Sequence, residues 1–116
     1  MQTEAISINF TDSQFIVTLS DGREVISPFT PDTFPRLWHG TPAERARYET
    51  RPDEIHWPDL NEDVRIPDLL AGIDNSGESK SSVEKWLAAL QEFRKSPHKG
   101  IQTFTEWDLR RQGLWR

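Results

Sequence analysis

The chain is expected to fold as a small α+β domain: a three-stranded antiparallel meander over residues 4–27, with short helices and an amphipathic helix at 81–95 packed on one face. Three observations carry this expectation. Residues 4–10 and 14–19 alternate apolar and polar side chains with a period of two, the mark of half-buried strands. Asp21-Gly22 divides two such runs, and glycine accepts the positive φ of a tight hairpin. Val83, Trp86, Leu87, Leu90 and Phe93 recur at helical spacing and form one apolar stripe.

The first strand places Ile6, Ile8 and Phe10 on one face and Ala5, Ser7 and Asn9 on the other. Thr11-Asp12-Ser13 reads as a turn. In the second strand Phe15, Val17 and Leu19 share a face, opposite Ile16 and Thr18. Residues 23–27 make a third strand with Val25 and Ile26, and Pro28 ends it. Thr30-Pro31 and Thr41-Pro42 each set a capping hydroxyl before a proline at the first helical position, predicting helices at 31–38 and 41–49 hinged at His39-Gly40. Thr41-Pro42-Ala43-Glu44 is also a capping box. Residues 50–58 read as a connection ending in an extended piece at 54–57, with another at 63–66. Pro67 to Gly72 reads as one helical turn closed by glycine. The polar run 74–80 is a linker. Ser81, followed by Glu84, is expected to cap the 81–95 helix; Arg94 and Lys95 suit its end and Pro97 stops it. A last helix is expected at 105–112, capped by Thr105 and ended by Gly113. Two units result: 1–73, and 74–116 with linker, helix and tail.

At 116 residues the chain fits one modest core, and five Trp and six Phe must supply much of its bulk. The absence of cysteine excludes disulfides and thiolate metal sites and suits a reducing cytoplasm. The polar, acidic start predicts no signal peptide, and no apolar run reaches the roughly 18 residues of a membrane span. Charge is uneven. Residues 1–93 hold 8 Lys/Arg and 17 Asp/Glu, a net of −9, whereas residues 94–116 hold 6 and 2, a net of +4. The body should repel nucleic acid, and the basic tail should fold back on it or meet an anionic surface.

His56, Asp59, Glu62 and Asp63 are competent ligands for a divalent cation. Their spacing fits no calcium loop, and no second histidine follows at i+4 as zinc sites favour. The reading is therefore a turn anchored by Trp57 and Leu60 with its acids in water, and no metal or cofactor is expected. His39 reads as a hinge histidine. No serine sits in a nucleophile elbow and no glycine loop could cradle phosphate, so an enzyme is not expected. The helix pair at 31–49 would present Arg45, Arg47 and Tyr48 to DNA. Flanking Glu44 and Glu49 and the acidic body argue against it. Phe104, Trp107, Leu109, Leu114 and Trp115 make the tail apolar as well as basic, the composition of binding hot spots.

Taken in order, Leu19 to Val25, Phe34 to Leu37, Thr41 to Arg45, Ile55 to Asp63 and Leu69 to Gly72 resemble a small bacterial family, domain of unknown function 2442. The resemblance spans about residues 5–73. The serine-rich lead into a tryptophan-bearing helix at 78–90 resembles a segment that often follows the domain. The resemblance implies a small α+β fold without established catalysis. Some members resemble antitoxin components made beside a small toxin, and others are joined to a helix-turn-helix domain, for which the tail here is too short. No functional residues carry over.

The expectation is a cytoplasmic, non-catalytic, antitoxin-like interaction module that occludes a small protein partner and is able to form a homodimer. Trp107, Arg110, Arg111 and Trp115 would make the contact, with Trp57, Asp59 and Asp63 as a second patch. Removing residues 100–116 should then abolish capture and leave the body folded. Two alternatives remain: a dimeric DNA-binding regulator acting through the basic tail, and a metal-dependent hydrolase at His56, Asp59 and Asp63.

Overall fold

Strand alternation and the Asp21-Gly22 turn build the first sheet as expected. The computed structural model describes residues 4–95 and 101–114. Strands β1 (Ala5–Phe10), β2 (Gln14–Leu19) and β3 (Glu24–Pro28) form an antiparallel sheet in the order β1-β2-β3. Gly22 takes φ 90°, and the Asp21 carboxylate accepts from the backbone N–H of Arg23 at 3.0 Å, fixing the turn. One face assignment is corrected. A bulge between Ala5 and Ser7 shifts the register, so Ala5 pairs with Leu19 and turns inward while Ile6 stands 61% exposed. Ile8 is buried, as alternation requires.

The two helices that follow are shorter than expected: α1 (Pro35–Trp38) and α2 (Pro42–Ala46). Thr30 and Thr33 explain the late start of α1. Their hydroxyls accept from each other's backbone N–H groups at 2.9 and 3.1 Å and hold residues 30–33 as a turn. Both halves of the Thr41–Glu44 capping box form, at 3.1 and 2.8 Å. Beyond α2 the chain enters β4 (Glu49–Arg51), which the sequence did not announce. With β5 (Glu54–Trp57) and β6 (Glu62–Arg65) it makes a second antiparallel sheet, ordered β4-β5-β6. Helix α3 (Ile66–Leu70) ends before Gly72, whose φ is 76°.

Helix α4 (Lys80–Lys95) lies close to its expected span, but its cap is Ser79, not Ser81. The Ser79 hydroxyl accepts from Ser82 N–H at 3.1 Å. The same two-residue shift holds for α5 (Phe104–Arg111). Thr103 caps it, accepting from Glu106 N–H at 3.2 Å, and Gly113 follows at φ 75°. Pro97 lies outside the described residues.

One core unites all of this. Phe15, Val17 and Leu19 of the first sheet meet Ile55 and Trp57 of the second, with Phe34, Leu37, Leu60, Trp86, Leu90 and Phe104 closing around them. Gly40, between α1 and α2, presses on this core. A Cβ there would stand 2.8 Å from Leu60 Cδ1 and 3.3 Å from the Leu37 carbonyl oxygen. Leu60 is wholly buried, so its methyl can yield only by displacing close-packed core neighbours. Gly40→Ala is expected to lower stability by about 1–3 kcal/mol, read as a lower urea midpoint.

Candidate functional site

Arg36 leaves α1 and enters a polar junction between the β5–β6 turn, the start of β6, the linker and α4. Its guanidinium grips Glu78 as a fork, Nε to Oε1 at 3.0 Å and Nη2 to Oε2 at 2.6 Å. Nη1 donates to the Asn61 carbonyl oxygen at 2.8 Å, and the group lies over the Trp86 ring at 5.4 Å. Trp86 itself donates Nε1–H to the Leu60 carbonyl at 2.7 Å. Asn61 makes the β5–β6 turn in the left-handed region, φ 51°, which asparagine tolerates better than most residues. A cleft of about 380 Å³ opens here, lined by Arg36, Asn61, Glu62, Asp74, Asn75 and Glu78 among others.

Glu62 is the unusual group of this cleft. Strand alternation turns it inward with Val64, while Asp63 and Arg65 face out. Its carboxylate accepts from Asp63 N–H at 2.9 Å and from the Asn75 amide at 3.1 Å. One guanidinium serves several acids nearby. Glu78 takes the fork, which holds its carboxyl below the usual range. Asp108 has Arg111 at 2.7 Å. Glu62 is left with neutral donors, and burial pushes its carboxyl up to about 7 against the pull of Arg36. Among the described residues its hydrogen-bond partners are the Asp63 N–H and the Asn75 amide. A buried titrating acid in a cleft is a recurrent sign of a working site.

The residues expected to act together are dispersed. Trp57 is fully buried, its Nε1–H donating to the Arg45 carbonyl at 3.0 Å; it is a core residue and offers no surface to a partner. Asp59 is buried against Arg47 at 3.1 Å, and burial raises its carboxyl despite that arginine. Asp63 is half exposed and bonds His56 Nδ1 at 2.7 Å across β5 and β6. The four candidate metal ligands thus face different ways, and among the described residues no group of three or more such side chains could hold a metal.

The tail folds back. Phe104 is fully buried, and Thr105 ties α5 to the β5–β6 turn, its N–H and hydroxyl both donating to the Pro58 carbonyl, at 2.9 and 2.7 Å. Trp107 packs on Phe93 and Phe104. Arg110 and Arg111 pair with Glu106 and Asp108 on their own helix. Trp115 lies outside the described residues. The arginines and tyrosine of the 31–49 helix pair are engaged internally: Arg47 with Asp59, Tyr48 accepting from Ile8 N–H at 3.2 Å, and Arg45 against Phe10 and Phe29.

The family model described as "Protein of unknown function (DUF2442)" matches residues 5–75. The chain belongs to this family. The DUF2442 domain therefore contains both sheets and α1 to α3, while Glu78, α4 and α5 lie beyond it. No curated protein matches the chain. Among solved structures, it is similar to a protein of unknown function from Rhodospirillum rubrum, with TM-score 0.52 and 22% identity over 72% of this chain and 99% of the other. It is also similar to an uncharacterized protein from Chromobacterium violaceum, with TM-score 0.50 and 24% identity over 72% of each chain. At these identities the likeness speaks for a shared fold alone. The Arg36–Glu78 fork joins the DUF2442 domain to its extension across 42 positions. Sequence reading missed it because an arginine and a glutamate so far apart carry no local signal.

Proposed function

We propose that the chain is a non-catalytic interaction module that covers a small, basic protein partner in an antitoxin-like manner. One observation carries the reading: exposed apolar side chains on β3 and at the end of α3 of the DUF2442 domain, two of them lining one groove. Ile26 on β3, Leu70 at the end of α3 and Ile73 are 60%, 44% and 56% exposed. Ile26 and Ile73 flank a groove of about 140 Å³ that includes Leu69, Pro28 and Asp74. Exposed Glu24 lies two residues from Ile26 on the same strand, and the surrounding body carries a net −9 over residues 1–93. An apolar surface in an acidic setting suits a partner that is apolar and basic. These side chains take precedence over the tail because α5 spends its aromatic and basic groups on its own body. The cytoplasm is the compartment proposed; among the described residues no helix is long and apolar enough to cross a membrane.

The test is affinity purification from the native host, followed by titration of the recovered protein against wild type and the Ile26→Glu/Ile73→Glu double variant. The expected partner is basic, and the double variant binds it at least about tenfold more weakly with an unchanged circular-dichroism spectrum. Equal affinity for both forms overturns the reading. Sedimentation equilibrium identifies a second copy as the occupant if wild type dimerises and the double variant does not.

A further inference from the structure

Arg45 stands apart from the other arginines. The eight others among the described residues each pair with a carboxylate: Arg23, Arg36, Arg47, Arg51, Arg65, Arg94, Arg110 and Arg111. Arg45 pairs with none among those residues. Its guanidinium lies against Phe10 and Phe29, 5.5 and 5.3 Å from the ring centroids. Nη1 donates to the carbonyl oxygens of Leu37 at 3.2 Å and Gly40 at 2.6 Å. Nε is buried with no acceptor among the described residues. Adjacent Glu44 is committed to Arg94 and to the N–H of Thr41. Burial works against the charge and lowers the guanidinium's affinity for its proton. The carbonyl bonds explain where Arg45 sits, but a neutral amide would make such bonds too. They do not explain a cation that has no ion pair among the described residues and feels only the field of the adjacent Glu44.

Beside it a cavity of about 180 Å³ is lined by Thr11, Asp12, Phe29, Trp38 and Arg45. Trp38 is 39% exposed, and its ring lies 5.6 Å from that of Phe29. An apolar cavity of about 150 Å³ accepts benzene, so this one has room for a single ring. We propose that it binds a small aromatic monocarboxylate, the carboxylate paired with Arg45 and the ring against Trp38 and Phe29. The ligand is one ring bearing one charge. Asp12 also lines the cavity and repels a dianion such as phosphate more strongly than a monoanion. The cavity shares no residue with Ile26, Leu70, Ile73 or their groove, and the two proposals stand independently.

Benzoate is the probe, titrated into the full chain and followed by amide chemical shifts. Saturable shifts are expected at Thr11, Asp12, Phe29, Trp38 and Arg45, with Kd on the order of 1–10 mM for so small a ligand. Benzamide, neutral and of like shape, should bind at least about tenfold more weakly. Trp38→Ala should weaken benzoate about fivefold, and Asp12→Asn should tighten it about two- to fivefold. Both positions are on or near the surface, so these variants carry the test even if Arg45→Met fails to fold. Absence of saturation, equal binding of benzamide, or indifference to both Trp38→Ala and Asp12→Asn overturns the proposal.

Discussion

Phe104→Ala is expected to destabilise the whole chain by about 3–5 kcal/mol, a large share of the roughly 5–15 kcal/mol typical of a domain. Phe104 is fully buried, and its ring meets Phe93 edge-on at 5.7 Å and Trp107 at 5.9 Å. Truncation removes that burial and leaves a cavity between α4, α5 and the β5–β6 turn. The double anchor of Thr105 on Pro58 limits how far α5 can collapse to fill it. Equilibrium urea unfolding is the measurement. A single transition at a much lower midpoint is expected, because α5 belongs to the common core. A loss below about 1 kcal/mol would mean that α5 is only an appendage. Removing residues 100–116 is therefore expected to weaken the body as well, because it takes Phe104 out of the core. The capture experiment suggested by sequence would mix loss of contact with loss of fold, and for that reason surface substitutions at Ile26 and Ile73 replace it.

Stability should fall as pH rises from about 4.5 to about 7. Burial pushes the Glu62 carboxyl from its ordinary 4.5 up to about 7 in the folded chain. Its pKa is raised on folding, so the folded state binds more protons between those values. The favourable contribution is complete below the unfolded value and is lost as pH climbs through the folded one. The span corresponds to about 3 kcal/mol, flat above neutrality. Glu62→Gln should remove most of this slope and raise stability near pH 8, where wild type must keep a buried carboxylate charged. The Asn75 amide can turn to offer its oxygen to the new amide and keep that bond. Urea midpoints at pH 5 and pH 8 for both proteins give the answer. Parallel lines for wild type and variant would show that Arg36 holds Glu62 ionised throughout.

The parts of the fold legible in the sequence are those fixed within a few residues of chain. The meander from β1 to β3 follows from alternation and a glycine turn. The Thr41 cap follows from four consecutive residues, and α4 from its apolar stripe. The failures have physical causes of equal clarity. A bulge of one residue turned Ile6 outward, and alternation cannot foresee an interruption of itself. β4 is three exposed residues, Glu49, Thr50 and Arg51, held by pairing with β5 and by no pattern of their own. Ser79 and Thr103 displaced Ser81 and Thr105 as caps because hydroxyls lie close together in both stretches, and tertiary contacts choose among them. Thr105 was needed at Pro58. The acids around His56 looked like one cluster in sequence, yet β6 sends Glu62 and Asp63 to opposite sides. Arg36 and Arg45 carried no local sign of their surroundings, which are assembled from distant parts of the chain.

The rims of the first sheet have a bearing on how the molecule tolerates crowding. β1 and β3 are both outer strands, and an open strand invites another chain to add itself on. On β1 the irregular start breaks the ladder, and the Tyr48 hydroxyl already occupies the Ile8 amide. On β3 the run is five residues long and closes on a proline without a donor. Neither margin offers a full template for fibril-like growth, so concentrated solutions should stay clear, and any self-association should proceed through side chains.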